Sequence, residues 1–412
     1  MTVQHTGMDV PLRPLTGLQK ITIAFGSVAM GAGMTINFVV VAPLAREAGL
    51  TEIQVAGILT LSAAIYALMI PQWGRWADRF GRKRIMVFSL FAMASTNMMF
   101  LFALQAALAG LVTGMSTFFL LVFTRLFFGL LSPGLQPASM AAMTDATTPD
   151  TRAGGLGMLA AAMGLGSILG PAGASVLAEF GALAPIWGSI LFCAFAGIVI
   201  GYMLPPSRGN RDRSRPEPLR IRDPRVFPHL AFLFCYFVAV GAIQQTLAWL
   251  IEDRFDLAKA ASVQATGIAF ACMSIALIVV QFGYVQPFRP DPKRILPVGL
   301  FCIVAGYVAA AEFMSFTALC LAFGLVGMGS ALAVPAANAL GSLSVERHEQ
   351  GSAAALLSAA PPSGFIFGPL LGATLYSFEH RLPLFVSAAM MGALLLYPVS
   401  YTHLTLPTKR IV

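Results

Sequence analysis

Along this chain, apolar residues do not alternate with polar ones at a strand period. They run together in blocks of 16 to 25 residues separated by short polar stretches. A helix rises 1.5 Å per residue, so about 20 residues cross the ~30 Å hydrocarbon core of a bilayer. Twelve blocks approach or exceed that length, near residues 21–45, 54–73, 85–104, 116–140, 156–178, 185–204, 229–251, 262–284, 295–311, 316–340, 352–376 and 383–398. In lipid the backbone must bond to itself within each segment, so every block is expected to be a helix and the chain an all-α membrane protein.

Composition agrees: 57% of residues are hydrophobic and 11% charged, with 39 glycines among 412 residues and a mean hydropathy of +0.78. Such values lie outside the soluble globular range. Residues 1–19 are polar, with Pro11 and Pro14, and lack the cationic-then-apolar layout of a cleaved signal, so the first span is expected to be retained. Cys193, Cys235, Cys272, Cys302 and Cys320 fall singly inside apolar blocks, a spacing for packing and not for a metal or redox centre. No cofactor is expected.

The net charge of +8 sits in loops, which points to a membrane surface and away from nucleic acid. With the N-terminus in the cytoplasm and spans alternating, Lys and Arg divide as 19 cytoplasmic and 4 external (Arg46, Arg254, Lys259, Arg381), with Arg125 inside a span. The positive-inside bias favours that orientation, in an inner membrane. The longest loop, 205–228, then lies inside. Its seven arginines and six prolines suit a solvated tether along anionic lipid.

The chain repeats itself. At an offset of 198, Gly129 matches Gly327, Pro137 matches Pro335, Gly166 matches Gly364, Gly170 and Pro171 match Gly368 and Pro369, and Pro185 matches Pro383. One offset carries spans 4–6 onto spans 10–12. Two six-helix bundles are expected, 20–204 and 229–398, joined by the 205–228 linker, the layout of a carrier that rocks about a central site. The last stretch, "VSYTHLTLPTKRIV" (399–412), resembles the translation of a transposase adapter used in DNA library preparation. It is set aside as a scar, which leaves span 12 about 16 residues long and truncated near Pro398.

The charge-dense stretch "GRWADRFGRKR" (74–84) falls between spans 2 and 3. Cytoplasmic positive bias accounts for Arg82, Lys83 and Arg84, but not for Asp78 or for Gly74 and Gly81, which are read as bracketing a turn too tight for side chains. The stretch resembles the loop 2–3 signature of the major facilitator superfamily, G-x-x-x-D-R-x-G-R-[KR]-[KR]. Arg125 followed four residues later by Gly129 agrees with that family, and so does the glycine-rich "AAMGLGSILGPAGAS" (161–175) of its antiporter branch, where Ala174 and Ser175 replace two glycines. More locally, "LAWLIEDRFDL" (247–257) resembles the corresponding part of tetracycline/H+ antiporters. The resemblance implies twelve helices in two pseudo-symmetric bundles; no enzymatic activity is expected, because no nucleophile–base constellation, phosphate-cradling loop or metal cluster stands in the sequence. The resemblance also implies a conformational switch at Gly74, Asp78, Arg79, Gly81 and Arg82, in which Asp78 and Arg82 join Asp145 and grip the start of span 11 in the outward-open state.

Arg125 stands near the middle of a span, where an unpaired cation costs ~2.5–3.5 kcal/mol on translocon scales. All eighteen acids fall in loops or at span ends, leaving no carboxylate to neutralise it. Two readings stand: a structural Arg satisfied by carbonyls, or a group in a central cavity serving substrate or proton coupling. Asn37 in span 1 and Gln244 and Gln245 in span 7 either supply hydrogen bonds to that cavity or hold helices together. Without an acid in span 1, a lipophilic cation lacks a counter-charge, so neutral, zwitterionic or anionic solutes are favoured. Pro361 and Pro362, before Gly364, are expected to bend span 11. The sequence thus points to a monomeric exporter of small organic compounds that exchanges them for protons, or else to an importer of organic anions or a non-transporting sensor on the same fold.

Overall fold

In the computed structural model, residues 15–147, 149–206, 219–346 and 349–402 are described, and every regular element among them is helical. The first half holds α1 (Gly17–Glu47), α2 (Glu52–Phe80), α3 (Arg82–Leu108), α4 (Met115–Leu131), α5 (Leu135–Asp145), α6 (Pro149–Leu177) and α7 (Ala184–Met203). The second holds α8 (Phe227–Phe255), α9 (Lys259–Val280), α10 (Gln286–Phe288), α11 (Pro292–Glu312), α12 (Phe316–Leu343), α13 (Gln350–Leu357), α14 (Ala360–Phe378) and α15 (Leu382–Thr402). Ten described segments are long and apolar enough to cross a membrane. Large apolar side chains such as Phe123, Leu191, Phe195, Phe301 and Leu321 point outward, where only lipid makes their exposure favourable.

Each of the twelve apolar blocks contains a helix, and three are interrupted. Span 4 divides into α4 and α5 at Ser132, Pro133 and Gly134, a turn signal that the unbroken apolar run conceals. Span 8 ends in a π-helical turn, Gln281–Val285, before α10. Span 11 does more than bend: α13 stops at Leu357 and α14 starts at Ala360, with Pro361 and Pro362 in its first turn, where missing N–H donors are tolerated. The helix of span 12 continues to Thr402, four residues into the stretch set aside as a scar. Residues 403–412 lie outside the described part.

The repeat recurs in the packing. A methyl on Gly129 of α4 would stand 2.7 Å from the Ser62 carbonyl of α2, and one on Gly327 of α12 would strike the Met273 carbonyl of α9. Likewise Gly166 and Gly170 of α6 lie on the α1 backbone at Val28 and Ala32, while Gly364 and Gly368 of α14 lie on α8 at Phe237 and Val238. Pro369 joins that contact, its Cδ within 3.3 Å of where a methyl on Gly241 would be. Thus each glycine and its partner 198 residues on serves the corresponding helix pair in its own half. Small residues at these points let helices approach closely, which matters where lipid supplies no hydrophobic drive between them.

Two sequence expectations need correction. Gly74 does not bracket a turn: it lies inside α2 and faces Pro137 of α5, whose Cβ would be 3.7 Å from an added methyl. The α2–α3 turn is the single residue Gly81 (φ +97°), so the tight geometry rests on one glycine in a region side chains avoid. The 205–228 linker is also not wholly a solvated tether. Within its described end, Arg225 donates to Asp223 and, at 2.8 and 3.0 Å, to both carboxylate oxygens of Glu349 beside α13. Hydrogen bonds from Arg225 hold the Asp223 carboxyl below the usual carboxylate range. Residues 207–218, with four of the seven arginines, lie outside the described part.

The close approach at Gly327 predicts that Gly327→Ala lowers the thermal midpoint of the purified protein by an amount equivalent to about 1–3 kcal/mol, the cost of overpacking. Gly324→Ala, in the same helix with nothing within 4 Å, should leave it unchanged or raise it slightly. Equal midpoints for the two variants would refute the contact.

Candidate functional site

Arg125 is 2% exposed and sits in the core of the first half. Its Nη2 donates to Asn37 Oδ1 of α1 at 2.9 Å and its Nη1 to Asn97 Oδ1 of α3 at 3.2 Å. The guanidinium carbon stands 3.7 Å from the Phe100 ring centre and 5.6 Å from that of Phe128. Each amide is held in turn: Asn37 Nδ2 donates to the Gly33 carbonyl at 2.8 Å and Asn97 Nδ2 to Ser189 Oγ of α7 at 3.3 Å. One cation therefore ties four helices together.

Dipoles, not a counter-ion, solvate that charge. A hydrogen bond to an ionised group contributes about 1.5–3 kcal/mol and a desolvated cation–π contact about 2 kcal/mol, each comparable with the insertion cost of the Arg. The described acids lie in loops or at helix ends, so the positive charge stays uncompensated in the span. In this conformation Arg125 and Asn37 are both buried inside one bundle, the setting of the structural reading. Both Nη atoms of Arg125 are thus bonded, whereas its Nε has no hydrogen-bond partner.

Three of the residues expected to form a switch meet at one end of that bundle. Arg82, 1% exposed at the start of α3, places Nη2 2.9 Å from Asp78 Oδ1 of α2 and 3.1 Å from Asp145 Oδ2 at the end of α5. Neither contact has hydrogen-bond alignment, so the attraction is chiefly coulombic. Arg79 does not join them; its guanidinium lies 5.4 Å from the Phe80 ring centre. In α8, Gln245 is fully buried with neither amide atom partnered, and the Oε1 of its neighbour Gln244 also lacks a partner. A buried amide left unbonded costs about 1–3 kcal/mol.

Sequence reasoning missed two things. Asn97 and Phe100 carry no motif in span 3, and a carboxylate is the expected partner of a buried Arg; an Asn in mid-span was the available signal. A second polar cluster, at the opposite end of the bundle from Arg82, joins Arg46 of α1 to Asp253 of α8 and carries no local motif.

Two helical halves with repeated glycine packing, spanning a membrane around polar groups in the core, define a membrane carrier. The chain belongs to the Major Facilitator Superfamily, whose sequence model matches residues 23–313 and 260–411. It is a transporter and not an enzyme. Among its relatives, multidrug resistance protein 2 of Bacillus subtilis (strain 168) is 26% identical over 349 residues, covering 81% of this chain and 83% of that one. The class B tetracycline resistance protein of Escherichia coli is 25% identical over 377 residues, covering 86% and 87%. In three dimensions the chain is similar to a bacterial homolog of the human lysosomal transporter Spinster, captured inward-facing and occupied. The TM-score is 0.69 at 14% identity, over 93% of this chain and 96% of that one.

If Asn97 helps solvate Arg125, Asn97→Ala should lower stability by about 1.5–3 kcal/mol, the value of a charge-assisted bond. Asn97→Asp should recover that loss, since it adds a counter-charge at 3.2 Å. Thermal unfolding of the purified variants checks both, and an Asn97→Asp protein less stable than Asn97→Ala would contradict the assignment.

Proposed function

We propose that this transporter exports small, drug-like organic compounds by alternating access, in exchange for protons, from an inner membrane with its N-terminus in the cytoplasm. The observation that carries the reading is its likeness, over more than four-fifths of each chain, to multidrug and tetracycline resistance proteins. The bundles 20–204 and 229–398 are the moving bodies, and the break before Pro361 and Pro362 gives α13 freedom to move against α14. The Asp78, Arg82 and Asp145 cluster acts on the equilibrium between states, and Gln244 and Gln245 supply the hydrogen-bonding groups that meet a solute.

The charge on Arg125 supports neutral, zwitterionic or anionic substrates. Asn37 and Asn97 spread its field but do not cancel it, and in a medium of low dielectric that field reaches a solute bound between the halves. A lipophilic cation entering the same region meets like charge and no carboxylate.

Asp78→Asn is therefore expected to slow transport while leaving substrate affinity nearly intact, because it changes the balance of states and not the cavity. Binding and transport on the same purified material decide this; equal losses in both would defeat the assignment. For substrate charge, ethidium is expected to be exported poorly and an anionic dye well. Asn37→Asp places a carboxylate beside Arg125 Nη2 and should shift preference toward ethidium. Strong ethidium efflux by the unaltered protein would overturn the charge argument.

A further inference from the structure

At the end of the bundle away from Arg82, the two halves meet through named contacts. Trp249 of α8, fully buried, donates its indole N–H to the Ala42 carbonyl of α1 at 2.8 Å. Ser175 Oγ of α6 donates to the Gln264 carbonyl of α9 at 3.1 Å, and the Gln264 amide reaches Glu179 at 3.3 Å. One helical turn beyond Ala42 and Trp249, Arg46 of α1 grips Asp253 of α8 with both nitrogens, Nη1 to Oδ1 at 2.6 Å and Nη2 to Oδ2 at 3.1 Å. Such a fork is among the stronger and more directional ion pairs.

The charges around that fork are arranged by half. Arg46 Nη2 also donates to Glu52 of α2, in its own half, at 2.9 Å. Asp253 Oδ2 also accepts from Tyr376 Oη of α14, in its own half, at 2.6 Å, and His380 Nδ1 stands 3.9 Å away with its ring stacked on Tyr376. Glu252, 3.9 Å from Arg46, is paired with Lys259 of its own half. Arg254 is occupied with the carbonyls of Ala310, Ala311 and Phe313 near the end of α11. A cavity of about 420 Å³ reaches the cluster past Asp253, Ser377, Glu379, His380 and Arg381, so the pair borders solvent.

We propose that Arg46 and Asp253 form a reversible lock between the halves, built so that each charge keeps a partner on its own side when the halves separate. On opening, Arg46 retains Glu52, Asp253 retains Tyr376 and His380, and Glu252 retains Lys259. No ion is stranded, which is the event that makes breaking a buried pair so costly. The lock needs only the alternating-access cycle of a transporter and is independent of the direction of transport and of the substrate.

Glu52 gives the scheme a distinctive sign. In the closed state it shares Arg46 with Asp253, whereas in the open state it is the carboxylate that Arg46 has left. Removing Glu52 therefore harms the open state more than the closed one. Loss of the lock pair does the opposite.

The test is a distance measurement between spin labels at Leu111→Cys and Met314→Cys, exposed positions in the two halves at this end, on the full chain with its native cysteines replaced. Arg46→Gln and Asp253→Asn should each raise the open-to-closed ratio about fivefold, the population factor of roughly one kcal/mol for a part-exposed ion pair. Combined, they should still give about fivefold, because both changes break one bond. Glu52→Gln should lower the ratio. Unchanged ratios, a double variant near twenty-five-fold, or a rise with Glu52→Gln would each overturn the lock. Because no substrate is added, these results stand apart from any failure of the export reading.

Discussion

A guanidinium held in hydrocarbon must find polar partners on the helices around it, and much of the first half is organised by that need. Arg125 draws Asn37 of α1 and Asn97 of α3 to its two ends, and Asn97 draws Ser189 of α7. The ring of Phe100 closes one face of the charge. An aspartate in either amide position would satisfy Arg125 equally well as a bonding partner and would cancel its charge. Keeping amides there retains a positive field in mid-membrane, and that retained field underlies the proposed bias in substrate charge.

The second constraint is close approach. Glycines at 129, 166 and 170 and their counterparts at 327, 364 and 368 bring backbones within reach of neighbouring carbonyls in both halves. This geometry stiffens each half; between the halves, α2 packs on α14 and α6 on α9, where Gly267 lies against the Pro171 carbonyl, and polar pairs join α1 to α8. Rigid bodies joined by exchangeable pairs are what alternating access requires. The Arg46 cluster meets that requirement, because its charges are paired twice, once across the gap and once within a half.

The periodic features were legible in the sequence. Apolar blocks gave the helices because lipid allows little else, and the offset of 198 marked residues that occupy equivalent packings. Asp78, Arg82 and Asp145 lie together at one end of the first half. What stayed hidden depended on orientation about a helix axis: whether Arg125 faced a cavity or its own bundle, that Asn97 faced Arg125, and that Gly74 faced Pro137 within α2. The Arg46 and Asp253 pair lies 207 residues apart without a motif, so only the meeting of the halves reveals it. Breaks at Ser132 to Gly134 and before Ala360 followed local Pro and Gly chemistry that a long apolar run masks.

The central claim, export coupled to protons, is tested most directly in inverted membrane vesicles whose lumen has been acidified by respiration. Adding an anionic amphiphile should make the lumen alkaline as protons leave in exchange, and the compound should accumulate inside only while the gradient lasts. Accumulation that persists after a protonophore collapses the gradient, or lumenal pH that ignores the added compound while transport proceeds, would contradict the account.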